Sequence, residues 1–398
     1  MPLSLKAYLT AHAAVVPAAR HTAKSYYRGG VPAFLTNIET ATPAYAYDQA
    51  SVQQTMATWT NADRRTSRLL GRIYPNSGIK TRHSVVPDFK ALEDQDSPTS
   101  GLFVTEDGKF KNPSTGERND RYKHEASALF VEAGRNALGA SGFKASDVTH
   151  VVTVSCTGFY APGPDLDVVL GLDLPKDTER YHLGFMGCYA AFPAMRMAKS
   201  FCDVNENAVV LVVAVELCTL HLQPKQDTDS VISASVFADG AAGAVITGRK
   251  PQAGGLEMKA FKDALAPEGA SDMAWTIGDT GFDMVLSAYV PAIVGEKAEA
   301  ALKPLLDSVG GDLGSVDRWA VHPGGRAILD KVEAGLGLDP DALNVSREVL
   351  AENGNLSSVT ILHVLKRVLE DGGKPGERTA ALAFGPGLTV ATGLFERA

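Results

Sequence analysis

The sequence predicts an α/β fold made of two similar halves, and three observations carry that expectation. Val209-Val210-Leu211-Val212-Val213-Ala214-Val215 is apolar on both faces and rich in β-branched residues, as a strand covered on both sides must be. A β-like run ending at Leu183-Gly184 passes through Phe185-Met186-Gly187 to Cys188, and an apolar-periodic segment with Met195, Met197, Ala198 and Phe201 follows at once. The order strand, turn, reactive side chain, helix then returns at Arg318-Trp319-Ala320-Val321, His322-Pro323-Gly324-Gly325 and a helix from Arg326 to Leu336. Residues 1–247 are therefore expected to form one half and 248–398 the other, each delivering side chains from strand ends into a shared cleft.

Bulk composition narrows the function. A chain of 398 residues, 45% hydrophobic and 21% charged, can bury a large core without disulfides or metals. The formal net charge of -8, with no long Lys/Arg run, argues against nucleic acid or an anionic membrane as partner. The four cysteines, Cys156, Cys188, Cys202 and Cys218, show neither CxxC nor zinc spacing, so a reducing compartment, no disulfide and no metal site are expected. The longest apolar run, Ala208 to Val215, is too short to span a bilayer. The apolar stretch after Lys6 is interrupted by His12 and Pro17, which makes a poor signal peptide, and a cytoplasmic protein without membrane insertion is expected.

In chain order, residues 1 to about 90 read as irregular and helical, ending in a basic cluster of Arg64, Arg65, Arg68, Arg72, Lys80 and Arg82. That cluster suits a solvated helix face or a landing site for the phosphates of a nucleotide-bearing substrate. Residues 91–120, with Ser97-Pro98-Thr99-Ser100 and Asn112-Pro113-Ser114-Thr115-Gly116, read as loop. A helix over Glu125–Leu138, a buried strand Val151–Cys156 and a Gly/Pro turn from Thr157 to Gly163 precede the Cys188 segment. Phe237-Ala238-Asp239-Gly240-Ala241-Ala242-Gly243 closes the first half with small residues where backbones must approach closely. In the second half Gly254–Phe261 reads as a strand and Pro291–Val309 as a helix. Asn353-Gly354-Asn355-Leu356-Ser357-Ser358 caps a helix whose Ile361, Leu362, Leu365, Val368 and Leu369 share one face. Two strands, Thr379–Phe384 and Leu388–Ala391, flank the turn Gly385-Pro386-Gly387 at the end.

Cys188 is the candidate nucleophile. At the start of a helix, unpaired N–H groups and the dipole favour a thiolate, and glycine neighbours let a substrate close to the sulfur. A cation to hold the thiolate and a neutral donor for the enolate or oxyanion complete such a site, and His322 and Asn355 are of the right types.

Around these residues the sequence resembles the type III polyketide synthases, the chalcone and stilbene synthase-like family of the thiolase superfamily. The resemblance rests on Gly187-Cys188-Tyr189-Ala190-Ala191, Trp319 to Gly325, Gly354-Asn355-Leu356-Ser357-Ser358, Phe384-Gly385-Pro386-Gly387-Leu388-Thr389 and Phe237 to Ala242, spread from about Arg64 to Thr389. It implies a thiolase-like fold, two α/β halves in a layered αβαβα arrangement, and a homodimer. It implies catalysis by Cys188, His322 and Asn355 on an acyl-CoA starter and malonyl-CoA, with no cofactor. Phe237 matches a residue that gates the passage between CoA tunnel and reaction cavity, and Phe282 matches a second gate. Ser357 matches a cavity-lining residue, and Gly385, Pro386 and Gly387 match the scaffold beneath the cyclisation pocket. Arg68 and Lys80 are the candidates for the CoA phosphates.

Four positions depart from the family's plant members. Ala383 stands where glycine is usual, Arg326 where proline is usual, and Cys218 and His221 replace threonines of the chalcone-forming cavities. The last two turn the expectation away from chalcone, and the run Val215-Glu216-Leu217-Cys218-Thr219-Leu220-His221 resembles bacterial members, several of which take long acyl starters and make alkylpyrones or alkylresorcinols. A ketoacyl synthase III-like enzyme making a single condensation, and a cysteine hydrolase acting on thioesters, are the alternatives.

Overall fold

In the computed structural model the described residues are 31–90, 99–107, 109–251 and 254–398. The readings at Lys6, His12 and Pro17, and at Ser97-Pro98, lie outside them. The first series of elements comprises β1 (Phe34–Ala41), β2 (Tyr45–Asp48), α1 (Gln49–Trp59), α2 (Arg64–Ile73), β3 (Thr81–Ser84), α3 (Thr115–Ser141), β4 (His150–Ser155), α4 (Pro164–Gly171), β5 (Glu179–Gly184), α5 (Ala191–Val204), β6 (Val209–Leu217), α6 (Thr228–Val236) and β7 (Asp239–Thr247). The second comprises β8 (Leu256–Leu265), β9 (Met273–Gly278), β10 (Gly281–Leu286), α7 (Val290–Asp307), β11 (Arg318–Val321), α8 (Arg326–Leu336), α9 (Asn344–Asn353), α10 (Thr360–Glu370), β12 (Arg378–Gly385) and β13 (Thr389–Arg397).

Among the described residues nine strands form one sheet in the order β11-β12-β13-β8-β1-β7-β6-β4-β5. Read outward from its middle, the first series runs β1, β7, β6, β4, β5 and the second β8, β13, β12, β11. The pairings match as well. β4–β6 and β11–β12 are parallel, whereas β6–β7, β12–β13, β7–β1 and β13–β8 are antiparallel. The two series meet where Phe34 and Leu35 of β1 pair with Glu257 and Leu256 of β8.

Helices divide this sheet into layers. α3 covers one face of β1, β6 and β7; α5 and α10 lie between the two series; α7 covers β8 and β13 from the far side and carries α8 with it. The apolar core divides accordingly into three clusters, the middle one joining Ala194, Met195 and Ala198 of α5 to Ile361, Leu362 and Leu365 of α10. This is the layered αβαβα arrangement. Every residue of β6 is buried, as its uniform apolar run requires. A Cβ on Gly243 of β7 would lie 2.4 Å from the carbonyl oxygen of Ala133, so α3 seats directly on the strand backbone.

The structure corrects three expectations. Residues before about 90 are not merely irregular and helical: β1 is the sheet's central strand. Its alternation is broken by a bulge between Leu35 and Asn37 and by polar side chains with distant partners, Asn37 Nδ2 donating to Ala137 O at 2.9 Å and Glu39 pairing with Lys366 at 2.9 Å. Residues 115–120 are helix rather than loop, because the Ser114 hydroxyl and the Glu117 carboxylate close a capping box that starts α3 ten residues before Glu125. Arg82 leaves the solvated basic cluster and is buried at 2% exposure.

Candidate active site

Cys188 sits in the turn between β5 and α5, with the helical residues beginning at Ala191. Gly187 has φ of +84°, and a Cβ there would lie 2.5 Å from Cδ of Pro386, so only glycine lets the Cys188 turn rest on the Gly385–Gly387 turn of the second series. A Cβ on Gly385 would likewise meet the Tyr189 ring at 2.4 Å. The thiol is buried at 7% exposure.

His322 follows β11, its N–H donating to Leu382 O of β12 at 2.8 Å, and the side chain is 1% exposed. Among the described residues neither ring nitrogen has a hydrogen-bond partner. Asn355 lies between α9 and α10, where backbone bonds fix it against the end of α6: Asn355 N donates to Val236 O at 2.8 Å and Ala238 N donates to Asn355 O at 2.9 Å. Its amide orientation follows from its partners. Oδ1 accepts from Ser357 N at 2.8 Å, and Nδ2 donates to Gly324 O at 3.1 Å, which leaves a second N–H for a ligand.

Three adjoining cavities surround these groups. The first is lined by Cys188, His322 and Asn355 together with Gly324, Ile328, Leu286 and Phe384. The second shares Cys188 and lies against Cys156, Thr157, Cys218, Trp275, Ser357 and Pro386. An outer cavity is bounded by Cys218, His221, Ser230, Ser233, Phe282 and the Lys225–Asp283 pair. Phe237 and Met284 line all three and form the partition between them.

One wall belongs to the β9–β10 hairpin. Cross-strand pairs Met273–Leu286, Trp275–Met284 and Ile277–Phe282 place six apolar side chains on one face, and all but Ile277 line the cavities. Trp275 is pinned there, its indole N–H donating to Cys156 O at 2.8 Å.

Burial dominates the electrostatics. It pushes the Cys188 thiol up to about 12, with the Ser357 hydroxyl favouring the thiolate and the Glu216 carboxylate opposing it. It pushes His322 down to about 3. Desolvation thus opposes the charged form of both groups and works against the helix terminus at Cys188. Glu216, at the end of β6, is fully buried and raised by desolvation, and it accepts from Cys156 N at 3.0 Å, Thr157 Oγ1 at 2.9 Å and the Ser358 hydroxyl. Cys156 Sγ in turn lies 3.3 Å from Ser357 Oγ.

Cys188, Phe237, His322 and Asn355 thus meet at one cavity, and Cys218, Ser357 and Pro386 at the next. Gly385 and Gly387 shape the turn beneath. His221 is a clamp in the outer wall: its Nε2–H donates to Thr157 O at 2.7 Å, its Nδ1 accepts from Phe282 N–H at 3.1 Å, and its ring stacks on Phe282 at 4.0 Å. Phe282 lines only the outer cavity, whereas Met284, two residues on, stands with Phe237 at the partition. Arg68, on α2, and Lys80, before β3, are exposed and line none of the three. Met273, Trp275, Met284 and Leu286 were not singled out by sequence reasoning, although apolar residues alternate on either side of Gly278-Asp279-Thr280-Gly281 as in a hairpin. Among the described residues no group of three or more His, Cys, Asp or Glu side chains is placed to hold a metal ion.

Two strand series of matching order, with a helix layer between them, are the architecture of the thiolase-like condensing enzymes. Within that class the chain belongs to the chalcone and stilbene synthases, the type III polyketide synthases, which are decarboxylating, condensing acyltransferases using acyl-CoA and malonyl-CoA. The family's N-terminal domain profile matches residues 20–251 and its C-terminal domain profile residues 257–397. The chain is 32% identical over 321 residues to 1,3,6,8-tetrahydroxynaphthalene synthase of Streptomyces coelicolor, covering 80% of each protein. The crystal structure of that synthase superposes with a TM-score of 0.81 at 29% identity, over 91% of this chain and 99% of that one. The structure of PKS-I from the brown alga Ectocarpus siliculosus superposes with a TM-score of 0.84 at 26% identity, over 94% and 100%. Among the described residues no helix is long and apolar enough to cross a membrane.

Proposed function

We propose that Cys188 takes the acyl group of an acyl-CoA starter, that His322 and Asn355 hold the thioester oxygen of malonyl-CoA while it loses carbon dioxide, and that the resulting enolate attacks the acyl-thioester. The convergence of these three side chains on one buried cavity carries the reading. His322, with both ring nitrogens free, is the group that takes the thiol proton when the starter arrives. The spare N–H of Asn355 donates to the enolate oxygen. Repetition lengthens the chain, and the second cavity, reached from Cys188 and walled by Trp275 and Met273, holds it for cyclisation. Phe237 and Met284 gate the passage between the cavities. Arg68 and Lys80 meet the CoA phosphates, which a raised KM for malonyl-CoA in the double alanine variant tests.

The apolar hairpin face supports an apolar starter and an alkylpyrone or alkylresorcinol product. The relative's name favours a second reading, a tetrahydroxynaphthalene. Labelled malonyl-CoA incubated with and without a panel of acyl-CoA starters, with products identified by mass, separates them: an absolute need for the starter supports the first reading, product from malonyl-CoA alone the second. Free starter acid without malonyl incorporation would instead mark a thioester hydrolase, and a single extension a ketoacyl synthase III-like enzyme. Four free thiols accord with a cytoplasmic setting, and the exposed edge strand β5 with a homodimer, which sedimentation of the purified chain checks. The proposed division into halves falls between β7 and β8, at residues 247 and 248.

A further inference from the structure

Arg82 of β3 is a cation that none of the chemistry above uses. Burial draws its pKa down, and its guanidinium lies 5.6 Å from the centre of the Tyr74 ring. Its partners are main-chain carbonyls: Nη1 donates to Ala234 O at 2.6 Å and to Phe237 O at 2.9 Å. Asp239 is near enough to favour the charge, but its oxygens accept from Val85 N, Thr219 N and Thr219 Oγ1. A buried cation held by carbonyls is costly to keep where an apolar side chain would pack at less expense.

What those carbonyls belong to gives the cost a purpose. They close the C-terminus of α6, where positive charge complements the helix dipole. Phe237 is the residue after that helix and stands at the partition of all three cavities. The backbone of Asn355 brackets it, bonding to Val236 and Ala238 on either side. Arg82, Phe237 and Asn355 are therefore one unit, and Gly354 completes it: a Cβ there would lie 3.2 Å from Cγ of Arg82.

We propose that Arg82 is a positioning residue that sets Phe237 and Asn355 in fixed relation, so that decarboxylation at the one is matched to chain passage at the other. The proposal rests on the roles given above to Phe237 and Asn355. Its test compares Arg82→Met and Arg82→Lys with the unaltered protein, using hexanoyl-CoA and labelled malonyl-CoA. Two ratios are read: carbon dioxide released per malonyl unit found in product, and short released chains against the longest product. Neither ratio depends on the fraction of protein that is folded. Because a misplacement of about 1 Å can cost about a hundredfold, each ratio is expected to rise on the order of tenfold in Arg82→Met and roughly threefold in Arg82→Lys, whose single ammonium cannot reproduce the guanidinium's reach. Unchanged ratios with only lower yield or thermal stability would overturn the proposal. If Arg82→Met does not fold, Arg82→Lys decides alone. Absence of any condensation by the unaltered protein would sink the functional reading and this inference with it, whereas unchanged ratios in a condensing protein sink this inference alone.

Discussion

His322 and His221 stand at opposite ends of the same cavity system, and burial pushes both to about 3. By exposure and charge state they are alike. They differ in their hydrogen bonds. Both nitrogens of His221 are occupied and its ring is stacked on Phe282, whereas both nitrogens of His322 are unpartnered beside Cys188 and Asn355. Burial therefore does not separate the two residues. What separates them is that His221 is tied into the wall, whereas His322 faces the cavity shared with Cys188 and Asn355 with both nitrogens unpaired among the described residues.

Removing the group that His322 serves has the largest expected effect. Cys188→Ala should abolish condensation, and any extended product detected by mass in that variant would break the contrast at its source. His322→Ala should then lower kcat/KM on the order of 10²- to 10⁴-fold with little change in the thermal midpoint. It should also raise the pH at which iodoacetamide alkylates Cys188, because the sulfur loses its base. His221→Ala should do the reverse, lowering the midpoint by the equivalent of about 1–3 kcal/mol as Thr157 O and Phe282 N–H lose their partner. If His221→Ala silenced the enzyme without destabilising it, the distinction would be wrong.

Asn355→Ala should slow malonyl-CoA decarboxylation by about 10²- to 10³-fold, the usual loss for one oxyanion donor. A smaller effect is expected from acid. Unfolded, His221, His322 and His363 take up protons near pH 6.5; folded, the first two resist to about 3 and the third to about 4. The unfolded state binds more protons in that interval, so their contribution to stability is full above pH 6.5 and falls as pH drops. Urea midpoints at pH 7 and pH 5 check the sign. The smallest effect belongs to the exposed Lys225–Asp283 pair over the outer cavity, where Lys225→Ala should cost less than about 1 kcal/mol.

The candidate trio was legible because Cys188 and His322 each lie between a strand that stops and a helix that starts, in a glycine turn, and Asn355 lies in a glycine turn just ahead of α10. The β6 run and α8 could be read for the same reason. What escaped depended on distant partners. β1 hides behind a bulge, and its polar side chains answer to α3 and α10. The opposing face of β9 and β10 exists only once Met273 and Leu286 pair across the hairpin. Arg82 reads like its exposed neighbours until α6 brings two carbonyls to it. The burial that opposes charge on Cys188 was not legible, because a helix start is a local feature, whereas desolvation is set by everything that closes over the sulfur.

The contact between Gly187 and Pro386 bears on how the enzyme comes into being. The turn that presents the sulfur is made well before the surface it rests on. A nascent chain released as far as α9 carries the Cys188 thiol without its floor, its imidazole's sheet neighbour β12 or its carboxamide. On the roles proposed above, acyl loading then waits until β12 and the Gly385–Gly387 turn have been made, and a chain truncated before them would hold a thiol with no means of extending what it captured.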